Sequence, residues 1–301
     1  MDSKPMDSKA MDPEAMSPET LDPEESFADV NEWAEITSVP TDKTKDNGST
    51  NRFENDELYY DMSGEKYLLI FNHRTYHQTA MFRNTRPLDR LGTDEDVNSL
   101  KRVFQRLDYK VNVYQDYVYD DIMKTIRILS EQDHTKTSCL CIAILTHGVK
   151  DGYLYAADMP YNLEDITFKL ENGHQSLVGK PKLFFIQACR GKNVDAGRTL
   201  QIDGAGAYRV IPSTADFLFF RSSVEGESYV SFRNQCGSFL IQELCKALEN
   251  NYDKDIHYIT TIVNHQVAYY YITYNRKEKK IHDKKTMPEV RHTLTKFFKF
   301  Q

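Results

Sequence analysis

From residue 59 onward, apolar runs of strand length alternate with stretches in which apolar positions recur at helical spacing. Residues 67–71 (YLLIF) read as a buried strand. A helix follows: Val97, Leu100, Phe104 and Leu107 succeed one another at intervals of three, four and three, which puts them on one face, and Thr93-x-x-Asp96 ahead of them has the form of a capping box. Residues 109–114 predict a strand, 120–129 a helix with Ile122, Ile126 and Leu129 inward, and 139–145 (CLCIAIL) a strand buried on both faces. A helix around 163–170 and a strand at 182–186 (KLFFI) continue the series. Strands alternating with helices in this order require right-handed crossovers and a mainly parallel sheet.

The rhythm stops at 191–212 (GKNVDAGRTLQIDGAGAYRVIP), which has four glycines and no period. Long structureless segments inside a domain are typically functional or cleavable. The pattern then resumes with a strand at 217–220, a helix from about 237 to 248 with Phe239, Leu240, Leu244 and Leu248 inward, a helix from about 256 to 270, and a final strand over 288–298. The core is therefore one α/β unit interrupted by an exposed linker.

Residues 1–56 have a different texture. The first 25 form a degenerate pentad repeat (MDSKP MDSKA MDPEA MSPET LDPEE), a period that suits neither helix nor strand. With 8 Asp and 7 Glu against 4 Lys and 1 Arg, this stretch carries a net −10 and leaves about +3 for the rest of the 301 residues. It reads as a disordered acidic leader, too poor in apolar surface to offset the entropy of ordering, and it holds the only tryptophan, Trp33. Neither part has the charge of a nucleic-acid binder. No run approaches the roughly 20 apolar residues of a membrane span, and the N-terminus lacks a signal-peptide core, so a cytoplasmic protein is expected. Five cysteines in a reducing compartment are expected to remain thiols.

Chemistry is sought where apolar strands end, because open parallel sheets build their sites outside the carboxyl ends of the strands. CLCIAIL ends in Thr146-His147-Gly148, and KLFFI ends in Gln187-Ala188-Cys189-Arg190-Gly191. A histidine on a neighbouring strand end can serve as the base that a thiol needs, and glycine lets backbone N–H groups approach a substrate carbonyl. Buried thiols and structural histidines also fit such positions. The pentad QACRG at 187–191 decides between these readings, since it is the recognised local signature of the caspase nucleophile; His147 lies 42 residues upstream of Cys189.

The chain resembles caspases from about Tyr59 to its C-terminus. RLGTD at 90–94, LTHG at 145–148, GKPKL at 179–183 leading into QACRG, and SFRN at 231–234 followed by GSF at 237–239 are similar to that family's boxes, in the same order. The resemblance implies a three-layer sandwich with a central, mainly parallel six-stranded sheet and helices on both faces. It implies a cysteine endopeptidase that cuts intracellular proteins after aspartate. Cys189 would be the nucleophile, His147 the acid/base, and the N–H groups of Cys189 and Gly148 the oxyanion donors. Arg90, Gln187 and Arg233 would form the pocket for the substrate aspartate, with Ser231, Phe232, Asn234 and Phe239 lining the neighbouring subsites. Phe232, Phe239 and Val230 replace aromatic residues, mostly tryptophans, common in executioner caspases, which weakens the case for a DEVD-like preference.

The resemblance also implies a zymogen: leader 1–56, large subunit 57–203 and small subunit 204–301, split at Asp203 or Asp195 within 191–212. Asp29, Asp42, Asp46 and Asp56 are candidate cuts for the leader. A short leader without helical pattern resembles an executioner. The expected partners are protein substrates, a second copy in a homodimer of cleaved protomers, an upstream initiator protease and caspase inhibitors, with no cofactor, metal, nucleic acid or membrane. The rival reading is a catalytically inactive homologue acting as decoy or scaffold. A nucleotide-binding domain fits the alternation of elements but lacks a phosphate loop. The basic run 276–285 reads as a charged loop, Cys139 and Cys141 as neighbours on one face of a strand, and His257 and His265 as structural.

Overall fold

Nine consecutive apolar or small residues make β3 (Thr137–Leu145), every one of them buried, and the remaining layers are built around it. A computed structural model describes residues 58–148, 153–188, 213–223, 232–233, 236–271 and 285–301, with only the backbone at 232–233. The leader 1–56 and the linker 191–212 lie outside these residues. In chain order the elements are β1 (Glu65–Asn72), α1 (Thr93–Arg106), β2 (Tyr109–Gln115), α2 (Tyr119–Glu131), β3, the short β4 (Leu154–Tyr155) and β5 (Pro160–Tyr161), α3 (Leu163–Glu171) and β6 (Lys182–Gln187). Then come β7 (Phe217–Arg221), the short β8 (Phe232–Arg233) and β9 (Gly237–Ser238), α4 (Phe239–Asn251), α5 (Ile256–Tyr270) and β10 (Glu289–His292).

Six strands form the main sheet in the order β10-β7-β6-β3-β1-β2, with β10 antiparallel and all others parallel. Alternation along each strand divides the core in two. Leu68, Ile70, Ala143, Leu183, Phe185 and Phe220 pack with α1, α4 and α5, whereas Leu69, Phe71, Ile142, Ile144, Phe184 and Ile186 pack with α2 and α3. The expected three-layer α/β sandwich is the observed one. Leu100 of α1 is fully buried at the centre of the first layer. Leu100→Ala is expected to cost about 3 kcal/mol, read as a lower urea midpoint at unchanged slope.

Three local expectations are corrected. Thr93 and Asp96 do not form a capping box: the N-cap of α1 is Gly92, at φ 92°, with no side-chain cap. Tertiary partners claim both side chains instead. The Thr93 hydroxyl donates to Asn72 Oδ1 (2.6 Å), and Asp96 Oδ1 accepts from Ser238 N and Gln242 Nε2, both at 2.8 Å. Among the described residues a capping box is found at α3, between Asn162 and Asp165. The start of α4 moves to Phe239 because Gly237 and Ser238 pair with Arg233 and Phe232. The last strand is only four residues long; beyond it, Phe298 and Phe300 turn inward and are fully buried.

Candidate active site

Because β1, β3 and β6 are parallel neighbours, their carboxyl ends emerge side by side. Backbone bonds hold these tips in register beyond the strands: His73 N donates to Leu145 O (2.9 Å), Thr146 N to Gln187 O (3.0 Å) and Ser222 N to Ile186 O (3.0 Å). His147 thus stands one residue past the bond that ties its strand to Gln187. Ala188, the residue before Cys189, is gripped by Ser222, whose hydroxyl donates to Ala188 O (3.0 Å) and lies 3.3 Å from Ala188 N as its acceptor. Cys189 itself lies outside the described residues.

His147 is half-buried, and its Nε2 sits 2.8 Å from Leu88 O. A carbonyl only accepts, so Nε2 carries the hydrogen, and in the neutral ring Nδ1 is the nitrogen with the lone pair. Burial holds the imidazole pKa below its ordinary range; the Leu88 carbonyl opposes this by favouring the cation, and the Arg90 charge adds to the lowering. The ring therefore stays neutral, and able to accept a proton, at lower pH than a free histidine.

Arg90 is 5 % exposed, a guanidinium built into the protein. Its Nη1 donates to His73 O (3.1 Å) at the tip of β1 and to Thr93 Oγ1 (2.9 Å), and its backbone N donates to Arg74 O (2.9 Å). The same loop therefore supplies both the Leu88 carbonyl for the histidine and the buried arginine two residues later. Gln187 ends β6 and is buried. Arg233 lies on β8, whose partner β9 is anchored to α1 through Ser238 N and Asp96. Helix α1 thus connects the segment that carries Arg90 to the hairpin that carries Arg233.

The other expected site residues are distributed as follows. Gly148 forms an isolated bridge with Leu154. Phe232 lies on β8 beside Arg233. Phe239 opens α4 with 4 % of its surface exposed and its ring 4.5 Å from that of Tyr271, so the area it presents to a substrate is small. Ser231, Asn234, Asp195 and Asp203 lie outside the described residues. The Cys139 and Cys141 sulfurs are buried and 3.7 Å apart, and Cys236 is exposed. Sequence reasoning missed Leu88, which acts through a backbone atom that any residue provides. It also missed Ser222, although that serine follows the apolar run of β7 and so satisfies the rule that singled out His147 and Gln187.

An imidazole fixed as its Nε2–H tautomer, at a strand tip beside the strand that runs on into a cysteine, is the arrangement of a cysteine endopeptidase carried on an α/β sheet. Residues 65–299 match the family profile described as the caspase domain. Caspase drICE of Drosophila melanogaster is 38% identical over 77% of this chain and 68% of its own length, and Caspase-3 of Xenopus laevis is 38% identical over 77% of this chain and 79% of its own. The crystal structure of Caspase-1 from Spodoptera frugiperda superposes with a TM-score of 0.71 at 32% identity, covering 82% of this chain and 95% of that one. The chain belongs to the caspase family. It is a cysteine endopeptidase that hydrolyses peptide bonds after aspartate, and its function is that of a caspase protease in apoptosis.

Proposed function

We propose that Cys189 and His147 form the catalytic dyad and that Arg90, Gln187 and Arg233 hold the substrate aspartate. The observation that carries the dyad is the 2.8 Å contact between His147 Nε2 and Leu88 O, which leaves Nδ1 as the basic nitrogen on the tip adjoining β6, the strand that precedes Cys189 in the sequence. Nδ1 takes the thiol proton as sulfur bonds to the scissile carbonyl carbon, and the carbonyl oxygen becomes an oxyanion facing the N–H groups of Cys189 and Gly148. When the tetrahedral species collapses, the C–N bond breaks and the imidazolium gives its proton to the leaving amine. Water then adds to the thioester by the same proton transfers, releasing the acid and restoring the thiol.

Two arginines suit the aspartate pocket because a guanidinium stays charged when desolvated and meets a carboxylate with a planar fork. An asparagine there would leave buried charge unneutralised, so rejection is expected to be far stronger than its shape would suggest. Phe232, with Ser231, Asn234 and Phe239, would shape the neighbouring subsites. The proposed biological unit is a dimer of cleaved protomers. β10 lies at the edge of the sheet, where a two-fold copy could extend it. The proposed site of action is the cytoplasm; no helix among the described residues is long and apolar enough to cross a membrane.

The test is self-processing followed by substrate profiling. The purified chain is expected to yield two fragments, with a new N-terminus at Gly204 after Asp203 or at Ala196 after Asp195. On peptides varied from P4 to P1, aspartate at P1 is expected to exceed asparagine by about three orders of magnitude or more. An intact chain that cuts no P1-aspartate peptide, even after an added protease has opened the linker, would establish the decoy reading instead.

A further inference from the structure

We propose that Tyr76 is a positioning residue for His147, its ring forming the floor under the imidazole and its hydroxyl anchoring the backbone of the same residue. This rests on His147 being the acid/base group. Tyr76 follows β1 and is 2 % exposed. Its ring centroid is 5.1 Å from that of His147 with 27° between the planes, a stacked contact. Tyr155 and Phe82 hold the tyrosine ring from the side, edge to face at 6.2 and 6.4 Å.

The Tyr76 hydroxyl has three polar neighbours, one of them His73 O at 3.4 Å. It accepts the His147 backbone N–H at 3.1 Å and lies 3.0 Å from Thr146 Oγ1. The single Thr146 hydroxyl hydrogen is committed to Tyr155 O at 2.6 Å, so Thr146 Oγ1 is an acceptor for the Tyr76 hydrogen, and at 3.0 Å a closer one than His73 O. The result is a chain running one way: His147 N–H to Tyr76, Tyr76 O–H to Thr146, Thr146 O–H to the Tyr155 carbonyl. Hydrogen bonds arranged head to tail polarise and strengthen one another. With Leu88 O on Nε2, the histidine is fixed at its backbone nitrogen, at one ring face and at one ring edge. Only the Nδ1 side is left for proton transfer.

Tyr76→Phe retains the floor and removes the anchor, leaving the His147 N–H without its acceptor; Tyr76→Leu removes both. Displacing a catalytic group by a fraction of an ångström slows chemistry without weakening substrate binding, so the loss belongs in kcat. Each variant is assayed on a P1-aspartate peptide, with active sites counted by titration with a covalent P1-aspartate inhibitor so that misfolded or unprocessed protein does not enter. Tyr76→Phe is expected to lower kcat about tenfold with KM within about twofold, and Tyr76→Leu about a hundredfold. Hydrogen exchange at the His147 amide is expected to be faster in Tyr76→Phe, a readout that needs no activity. A Tyr76→Phe kcat within about twofold of the parent, a loss carried by KM, or unchanged exchange overturns the proposal. His147→Ala is the control: if it is inactive while Tyr76→Phe is unimpaired, only the role of Tyr76 falls, whereas an active His147→Ala removes the acid/base assignment itself.

Discussion

Cys189→Ala is expected to remain one uncut polypeptide and to lose at least about four orders of magnitude in kcat/KM, since no other group forms the thioester. His147→Ala should fall nearly as far, and the double variant no further, because the members of a dyad act as a unit. Among the described thiols, Cys139, Cys141 and Cys245 are buried, and burial pushes the Cys245 and Cys141 thiols up, away from thiolate. Cys236 is the exposed one, and residual self-cleavage that disappeared only with Cys236 would refute the assignment of Cys189. The acid limb of the rate profile adds a check on the histidine. Since burial keeps His147 neutral below its ordinary range, half-maximal kcat/KM on the acid side is expected below about pH 6.5.

Where a segment is buried on both faces, its sequence pattern was enough to read it. CLCIAIL and KLFFI became β3 and β6, and the helical face through Val97, Leu100 and Phe104 became the buried side of α1, with the buried Leu107 as its C-cap, because burial alone dictates those residue types. The errors fall where a polar side chain had a choice of partner. Thr93 and Asp96 have the spacing of a local cap, yet Asn72, Ser238 and Gln242, distant in sequence, take them. No window of sequence contains that competition. For the site, polar residues at strand ends pointed to His147 and Gln187, and the structure brings those two tips together through the bond from Thr146 N to Gln187 O. The fixing of the imidazole was not legible. Leu88 contributes a carbonyl and is 82 % exposed, which gives its side chain no role to read, and Tyr76 looks like one more aromatic after an apolar run.

Arg90→Ala is expected to lower kcat/KM for a P1-aspartate peptide by about three orders of magnitude, and Arg233→Ala by a comparable factor. Removing one member of a desolvated ion pair costs about 3–5 kcal/mol, because the carboxylate is then buried without its full set of donors. For Arg90 the loss has a second source. Its guanidinium also braces His73 O and Thr93 Oγ1, next to the loop whose Leu88 carbonyl fixes the histidine tautomer. The two sources separate experimentally. Loss of pocket charge lowers the ratio of aspartate to asparagine cleavage, whereas loss of bracing slows both substrates equally. Arg90→Lys keeps the charge but offers no planar fork, so it is expected to recover only a small part of the aspartate rate. The pH profile supplies the third mark. Arg90 contributes to holding His147 low, so its removal lets the imidazole pKa rise, and the acid limb of any residual activity moves to higher pH. An Arg90→Ala enzyme within tenfold of the parent, with its aspartate preference and acid limb unchanged, would place the arginine outside the pocket and leave the 5 % exposed guanidinium as a structural brace alone.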